Sequence, residues 1–283
     1  MRLLHISDDD DNDDFTLVEF GYEVPNYAIL SHTWGADKDE VSFKDIIEDK
    51  DKAKKKAGYA KLRFCAAQAA KDNLQYFWVD TCCIDKGSSA ELAEAINSMF
   101  KWYSNSTVCY VYLTDVSDYS TLGMDNLPSL YNSRWFSRGW TLQELLAPET
   151  VIFFSKNGTR IGEKSSLAMD IACITNIPIE ILESSPGLVL QYPIEERLSW
   201  ASNRRTKREE DAAYCLLGIF EVQMPLIYGE GKEKAFGRLR KEIDYLYGRR
   251  DWIDNLLTQY GLPPLRIHED RQVSTHGKGC HTS

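Results

Sequence analysis

Three short segments concentrate the side chains that could do chemistry. The first is Arg138-Gly-Trp-Thr-Leu-Gln-Glu-Leu-Leu-Ala-Pro148, in which Trp140 and Glu144 stand four residues apart. On a helix that spacing puts both on one face. A carboxyl held against an indole loses hydration, which raises its pKa and suits it to proton transfer or to stabilising a developing cation. The same residues allow a structural reading, since Thr141-x-x-Glu144 fits a capping box that ties off a helix start. Arg138, just upstream, could meet a phosphate or form a surface ion pair.

The second segment is Ser31-His-Thr-Trp-Gly35, an unusual concentration of a serine, a histidine and a tryptophan, although a lone histidine is more often a structural hydrogen-bonder. The third is Asp80-Thr-Cys-Cys-Ile-Asp85. Asp80 and Asp85 could accept from ribose hydroxyls or cap the helix that follows, and Cys82 or Cys83 with His32 would be the raw material of a thiol nucleophile. Ser88-x-x-Glu91 reads as a second capping box, which would occupy Glu91 with backbone donors. Stock motifs are missing: there is no G-x-S-x-G elbow, no Walker sequence and no G-x-G-x-x-G. Gly229-Glu-Gly-Lys232 lacks the rest of a phosphate loop and reads as a turn opening a helix.

The seven cysteines contain no C-x-x-C pair. Adjacent Cys82 and Cys83 have poor geometry for one zinc ion, so no metal is expected. Their odd number, without a secretory leader, reads as reduced thiols.

These segments need a scaffold. Tyr27–Ser31, Tyr76–Asp80, Thr107–Thr114 and Val151–Phe154 are apolar, aromatic and β-branched runs that read as buried strands. Between them Leu62, Cys65, Ala66, Ala69 and Ala70, and then Leu92, Ile96, Met99, Phe100 and Tyr103, recur at helical spacing. Alternation of strand and helix predicts an α/β fold with a parallel sheet, and ligands in such sheets bind beyond the carboxyl ends of the strands. All three chemical segments follow a strand or the helix after one. Beyond residue 160 the pattern turns helical, with helices expected over Glu210–Phe220 and Lys232–Tyr247, the latter burying Phe236, Leu239, Ile243 and Leu246. The expected division is an acidic leader over 1–25, built around Asp8–Asp14, an α/β domain over 26–160, a helical extension over 161–247 and a linker or tail over 248–283.

Composition narrows the partners. The formal net charge of −10 argues against nucleic acid, which needs a basic face. No apolar run approaches the ~20 residues of a membrane span. With no signal peptide read at Met1–Ser7, a cytoplasmic protein is expected.

Tyr27-Ala-Ile-Leu-Ser-His-Thr-Trp-Gly35, Trp78-Val-Asp-Thr-Cys-Cys-Ile-Asp85 and Arg138–Pro148 resemble, in order, the three signature blocks of the fungal HET (heterokaryon incompatibility) domain. Arg204–Leu239 resembles the region that follows this domain in fungal NLR-type receptors, which implies NLR sensor modules as partners. HET domains are distantly similar to TIR domains, of flavodoxin-like fold, some of which cleave NAD with a glutamate in W-C-x-x-E-L. Trp140-Thr-Leu-Gln-Glu144-Leu145 matches that pattern with Thr141 in place of the cysteine. The resemblance therefore implies a cell-death effector in non-self recognition, an NADase with Glu144 as catalytic residue. Ser31, His32, Trp34, Asp80, Asp85, Arg138 and Trp140 would bind NAD or NADP as substrate, no cofactor would be required, and a homo-oligomer would form on activation. The rival expectations are a non-catalytic TIR-like module acting by self-association and a cysteine-dependent hydrolase.

Overall fold

The four apolar runs form the middle of one mixed sheet. The computed structural model describes residues 1–6, 15–117, 127–184 and 186–247. Its strands are β1 (Arg2–Ile6), β2 (Phe15–Glu19), β3 (Ala28–His32), β4 (Tyr76–Trp78), β5 (Val108–Tyr112), β6 (Val151–Phe154) and β7 (Arg160–Glu163), in the order β2-β1-β4-β3-β5-β6-β7. The central four, β4, β3, β5 and β6, are parallel, and antiparallel strands close both edges. Every residue of β3 is buried, as a strand covered on both faces requires.

The helices are α1 (Phe43–Glu48), α2 (Lys50–Lys54), α3 (Tyr59–Lys71), α4 (Ser89–Ser104), α5 (Leu127–Tyr131), α6 (Thr141–Leu146), α7 (Ala168–Thr175), α8 (Ile179–Glu183), α9 (Ile194–Ser199), α10 (Asp211–Tyr214) and α11 (Lys232–Tyr247). The chain leaves β3 through α3 to β4 on one side, then returns through α4 to β5 on the other. The central order is thus that of flavodoxin-like sheets, whose direction reverses at the first strand and opens a crevice there. That crevice lies at the end of β3, where Ser31 and His32 stand.

Several expectations change. The leader contributes β1 and β2, an antiparallel pair with Leu3, Leu4, Ile6 and Phe15 buried, while Asp8–Asp14 and the tail beyond 247 lie outside the described residues. The helix expected over Glu210–Phe220 is two pieces, α10 and a 3-10 turn at Gly218–Phe220. Gly218 packs so close to Phe100 that a Cβ there would sit 2.1 Å from the Phe100 Cβ. In α11 Phe236, Leu239 and Ile243 are buried as expected, but Leu246 is 54% exposed.

Candidate functional site

Glu144 enters the interior on α6, a short helix whose six residues are all buried. The capping box is not formed. Thr141 is the first helical residue, and its hydroxyl donates back to the carbonyls of Trp135 and Arg138, at 2.6 and 2.9 Å. Freed from that role, the Glu144 carboxyl accepts a 2.5 Å hydrogen bond from the Ser31 hydroxyl at the end of β3. Ser31 Oγ in turn accepts from the buried Trp135 indole at 2.7 Å. The indole that serves Glu144 is therefore Trp135, through Ser31, whereas Trp140 hydrogen-bonds Asp211. Burial pushes the Glu144 carboxyl up to about 8 and the charge of Asp80 adds to this; the Ser31 hydroxyl and the Arg138 and Arg204 cations pull the other way.

Glu144 faces a cavity of about 320 Å³ at the switch point. His32, Trp34, Asp80, Arg138 and Trp140 line it as expected, and Ser31 stands behind Glu144 as its support. Asp85 does not line it: its side chain accepts from Gly87 N in the following turn. The second capping box is half formed, since Ser88 caps α4 but the Glu91 carboxylate serves Asp85 N and Arg2.

The cavity wall nearest β3 is built around Asp80, which accepts from the Trp34 indole at 2.9 Å and lies 3.5 Å from Lys86 Nζ. Lys86 Nζ also rests 3.7 Å over the Trp34 ring. His32 is buried beneath this wall, and burial first, then the Lys61 cation, pushes its imidazole down to about 3. That favours the neutral imidazole, whose Nε2 lies 3.8 Å from the Glu40 carboxylate without a hydrogen-bond partner. Cys82 and Cys83 are buried and do not line the cavity; burial drives the Cys82 thiol well above its ordinary value, which leaves little thiolate at neutral pH.

The opposite wall comes from the extension. Lys207, Arg208, Asp211 and Tyr228 line the cavity, with Tyr228 donating to Asp211 at 3.0 Å and the Arg208 guanidinium 4.1 Å over the Tyr228 ring. Residues 204–206 run against Arg138-Gly139: Gly139 N donates to Arg205 O at 2.9 Å and Arg205 N to Ser137 O at 2.7 Å. Arg204 donates to Arg138 O and to Thr141 Oγ1, at 3.0 and 2.9 Å, and so secures the start of α6. Sequence patterning missed this wall. The charged run Arg204–Asp211 was its visible trace, but nothing local says where such a run folds back.

The family model described as "Heterokaryon incompatibility protein (HET)" matches residues 27–132. Over 225 residues, 78% of this chain, the sequence is 54% identical to the vegetative incompatibility protein HET-E-1 of Podospora anserina.

The chain carries a HET domain.

The chain spans 16% of that relative's length. No solved structure matches it. The HET match ends before α6, so Glu144 and the whole opposite wall stand beyond the matched residues, yet the 225-residue likeness is too long to be confined to that segment. Among the described residues no helix is long and apolar enough to cross a membrane.

Proposed function

We propose that this HET domain is a cell-death effector of fungal heterokaryon incompatibility that cleaves the nicotinamide–ribose bond of NAD or NADP. One observation carries the reading: the buried Glu144 carboxyl, supported by Ser31 and Trp135, faces a cavity at the switch point of a doubly wound sheet. Before substrate binds, Glu144 holds its proton near neutrality. A nicotinamide ring carrying positive charge favours the carboxylate, and the proton leaves. The C–N bond then breaks with its electron pair going to nicotinamide, and the ribose takes on oxocarbenium character that the carboxylate stabilises. Water adds to the ribose and loses a proton, giving ADP-ribose and free nicotinamide. Trp34 and Trp140, both in the cavity lining, stack on the base in this reading, and neutral His32 offers a hydrogen bond rather than a charge. NLR-type sensor modules, as partners, and self-association, as the trigger, belong to the same proposal.

The test is nicotinamide release from NAD by the purified chain beside Glu144→Ala, at low and high protein concentration. Release that needs Glu144 supports the reading, and a steep concentration dependence adds activation by assembly. A folded, self-associating chain that releases nothing overturns it in favour of a non-catalytic signalling module.

A further inference from the structure

The cavity's cations are not equally occupied. Lys86 is paired with Asp80, and Lys207 reaches across to Asp37 at 2.6 Å. Arg204 stands behind the cavity rather than in its lining, with Nε and Nη1 donating to backbone and Thr141 oxygens and its buried Nη2 without a hydrogen-bond partner. Arg138 and Arg208 are different. Both line the cavity, and neither guanidinium makes a hydrogen bond or ion pair with any described residue. Arg208 lies in the field of Asp211 and Glu210 without bonding either, its guanidinium carbon 4.1 Å from the centre of the Tyr228 ring. Tyr228 is itself fixed by Asp211, which also takes the Trp140 indole. That platform leaves the edge of the Arg208 guanidinium free.

We propose that Arg138 and Arg208 together hold the diphosphate of a dinucleotide, one arginine from the HET core and one from the extension. This rests on the reading of the cavity as an NAD(P) site and adds what the catalytic carboxyl does not explain, a preference for the dinucleotide over its nucleoside fragment. Guanidinium forks match phosphate oxygens in pairs, so two of them facing one cavity suit two linked phosphates. The four acids of the same cavity are each engaged: Glu144 by Ser31, Asp80 by Trp34, Asp211 by Tyr228 and Asp37 by Lys207. The base and first ribose then lie toward Glu144 and the phosphates toward Arg208.

The test is calorimetric binding of ADP-ribose to the full chain and to Arg138→Ala, Arg208→Ala and Arg208→Lys, with turnover of NAD and of nicotinamide riboside measured on the same proteins. Each alanine variant is expected to bind ADP-ribose about 10-fold more weakly, with lysine at 208 recovering only part of the loss because it lacks the fork. KM for NAD should rise while KM for nicotinamide riboside, which has no diphosphate, stays in place. ADP-ribose affinity within about twofold of the parent in a folded Arg208→Ala chain overturns the site, since charged hydrogen bonds of this kind are worth more than that. The two proposals fail separately. A chain that cleaves no NAD yet loses ADP-ribose with Arg208 keeps the phosphate site and loses the catalytic reading. Glu144-dependent cleavage that is indifferent to both arginines does the reverse.

Discussion

Ser31 and Glu144 lie 113 positions apart in the chain and share one 2.5 Å hydrogen bond, with the serine hydroxyl donating to the carboxyl. The serine is the last residue but one of β3 and the glutamate sits on the last helix before β6, so the bond ties that helix to the strand at the switch point. It is also the main hydrogen bond that favours the ionised form of a carboxyl otherwise kept neutral by burial.

That bond sets a pH profile. If ionised Glu144 is the active form, kcat/KM for NAD cleavage should climb with pH toward a plateau above about 8. Ser31→Ala removes a contact that lowers the pKa, so the climb should move to higher pH, and each unit of movement costs about tenfold at pH 7. Trp135→Phe, which leaves the serine in place but frees it to rotate, should move it less. A profile unmoved by Ser31→Ala would detach the serine from the chemistry.

Stability should respond in the opposite sense. The unfolded chain loses the Glu144 proton near 4.5 and the folded chain near 8. Across that window the folded state binds more protons, so stability falls as pH rises, and above about 8 the native state carries the full cost of a buried charge. Glu144→Gln, neutral throughout, should therefore be inactive yet more stable than the parent above that pH, by on the order of 1–3 kcal/mol. Denaturant midpoints at pH 5, 7 and 9 check this, with the gap between the proteins widening across that window and levelling off above about 8.

Gly139 is where the extension presses on the HET core. A Cβ there would lie 2.4 Å from Thr206 Cγ2 and 3.2 Å from Cys215 Sγ. Gly139→Ala should cost about 1–3 kcal/mol of stability, as overpacking usually does. Adding Thr206→Ser deletes the nearer methyl and should return part of it. Nicotinamide release should fall in the single variant and recover in the double, since the strain pushes out the wall that carries Arg208.

Thiol reactivity separates the glutamate reading from a cysteine-dependent one. Of the six described cysteines only Cys173 is exposed. Brief alkylation of the folded chain should modify Cys173 among these six, with activity retained, and Cys82→Ser and Cys83→Ser should change stability more than turnover. Mass spectrometry of the peptides, read against residual NAD cleavage, decides it.

Much of this was legible in the sequence. The strand runs gave the parallel centre of the sheet, and the strand-end rule led to Ser31, His32, Trp34 and Asp80, all at the cavity or directly behind it. Glu144 stood out by its neighbours, although the indole that matters is Trp135, reached through a serine 104 residues away. Such a relay leaves no trace in local spacing. Asp85 looked equivalent to Asp80 but turns away into its own loop. Arg208, Asp211 and Tyr228 were hidden because their meaning depends on where the chain returns, and short-range periodicity does not encode that. The first strand pair escaped notice for another reason: an acidic run separates two strands of five residues each, too short for alternation to stand out.

The late arrival of the second wall has a consequence for synthesis. A ribosome adds the residues between Glu144 and Arg204 in about 3–12 s, and N-terminal elements order first. During that interval the glutamate has been made, but the start of its helix lacks the Arg204 clamp and the cavity has only one side. A nascent or truncated chain thus lacks a complete cavity, and under the proposed function it cleaves no NAD until the extension has docked.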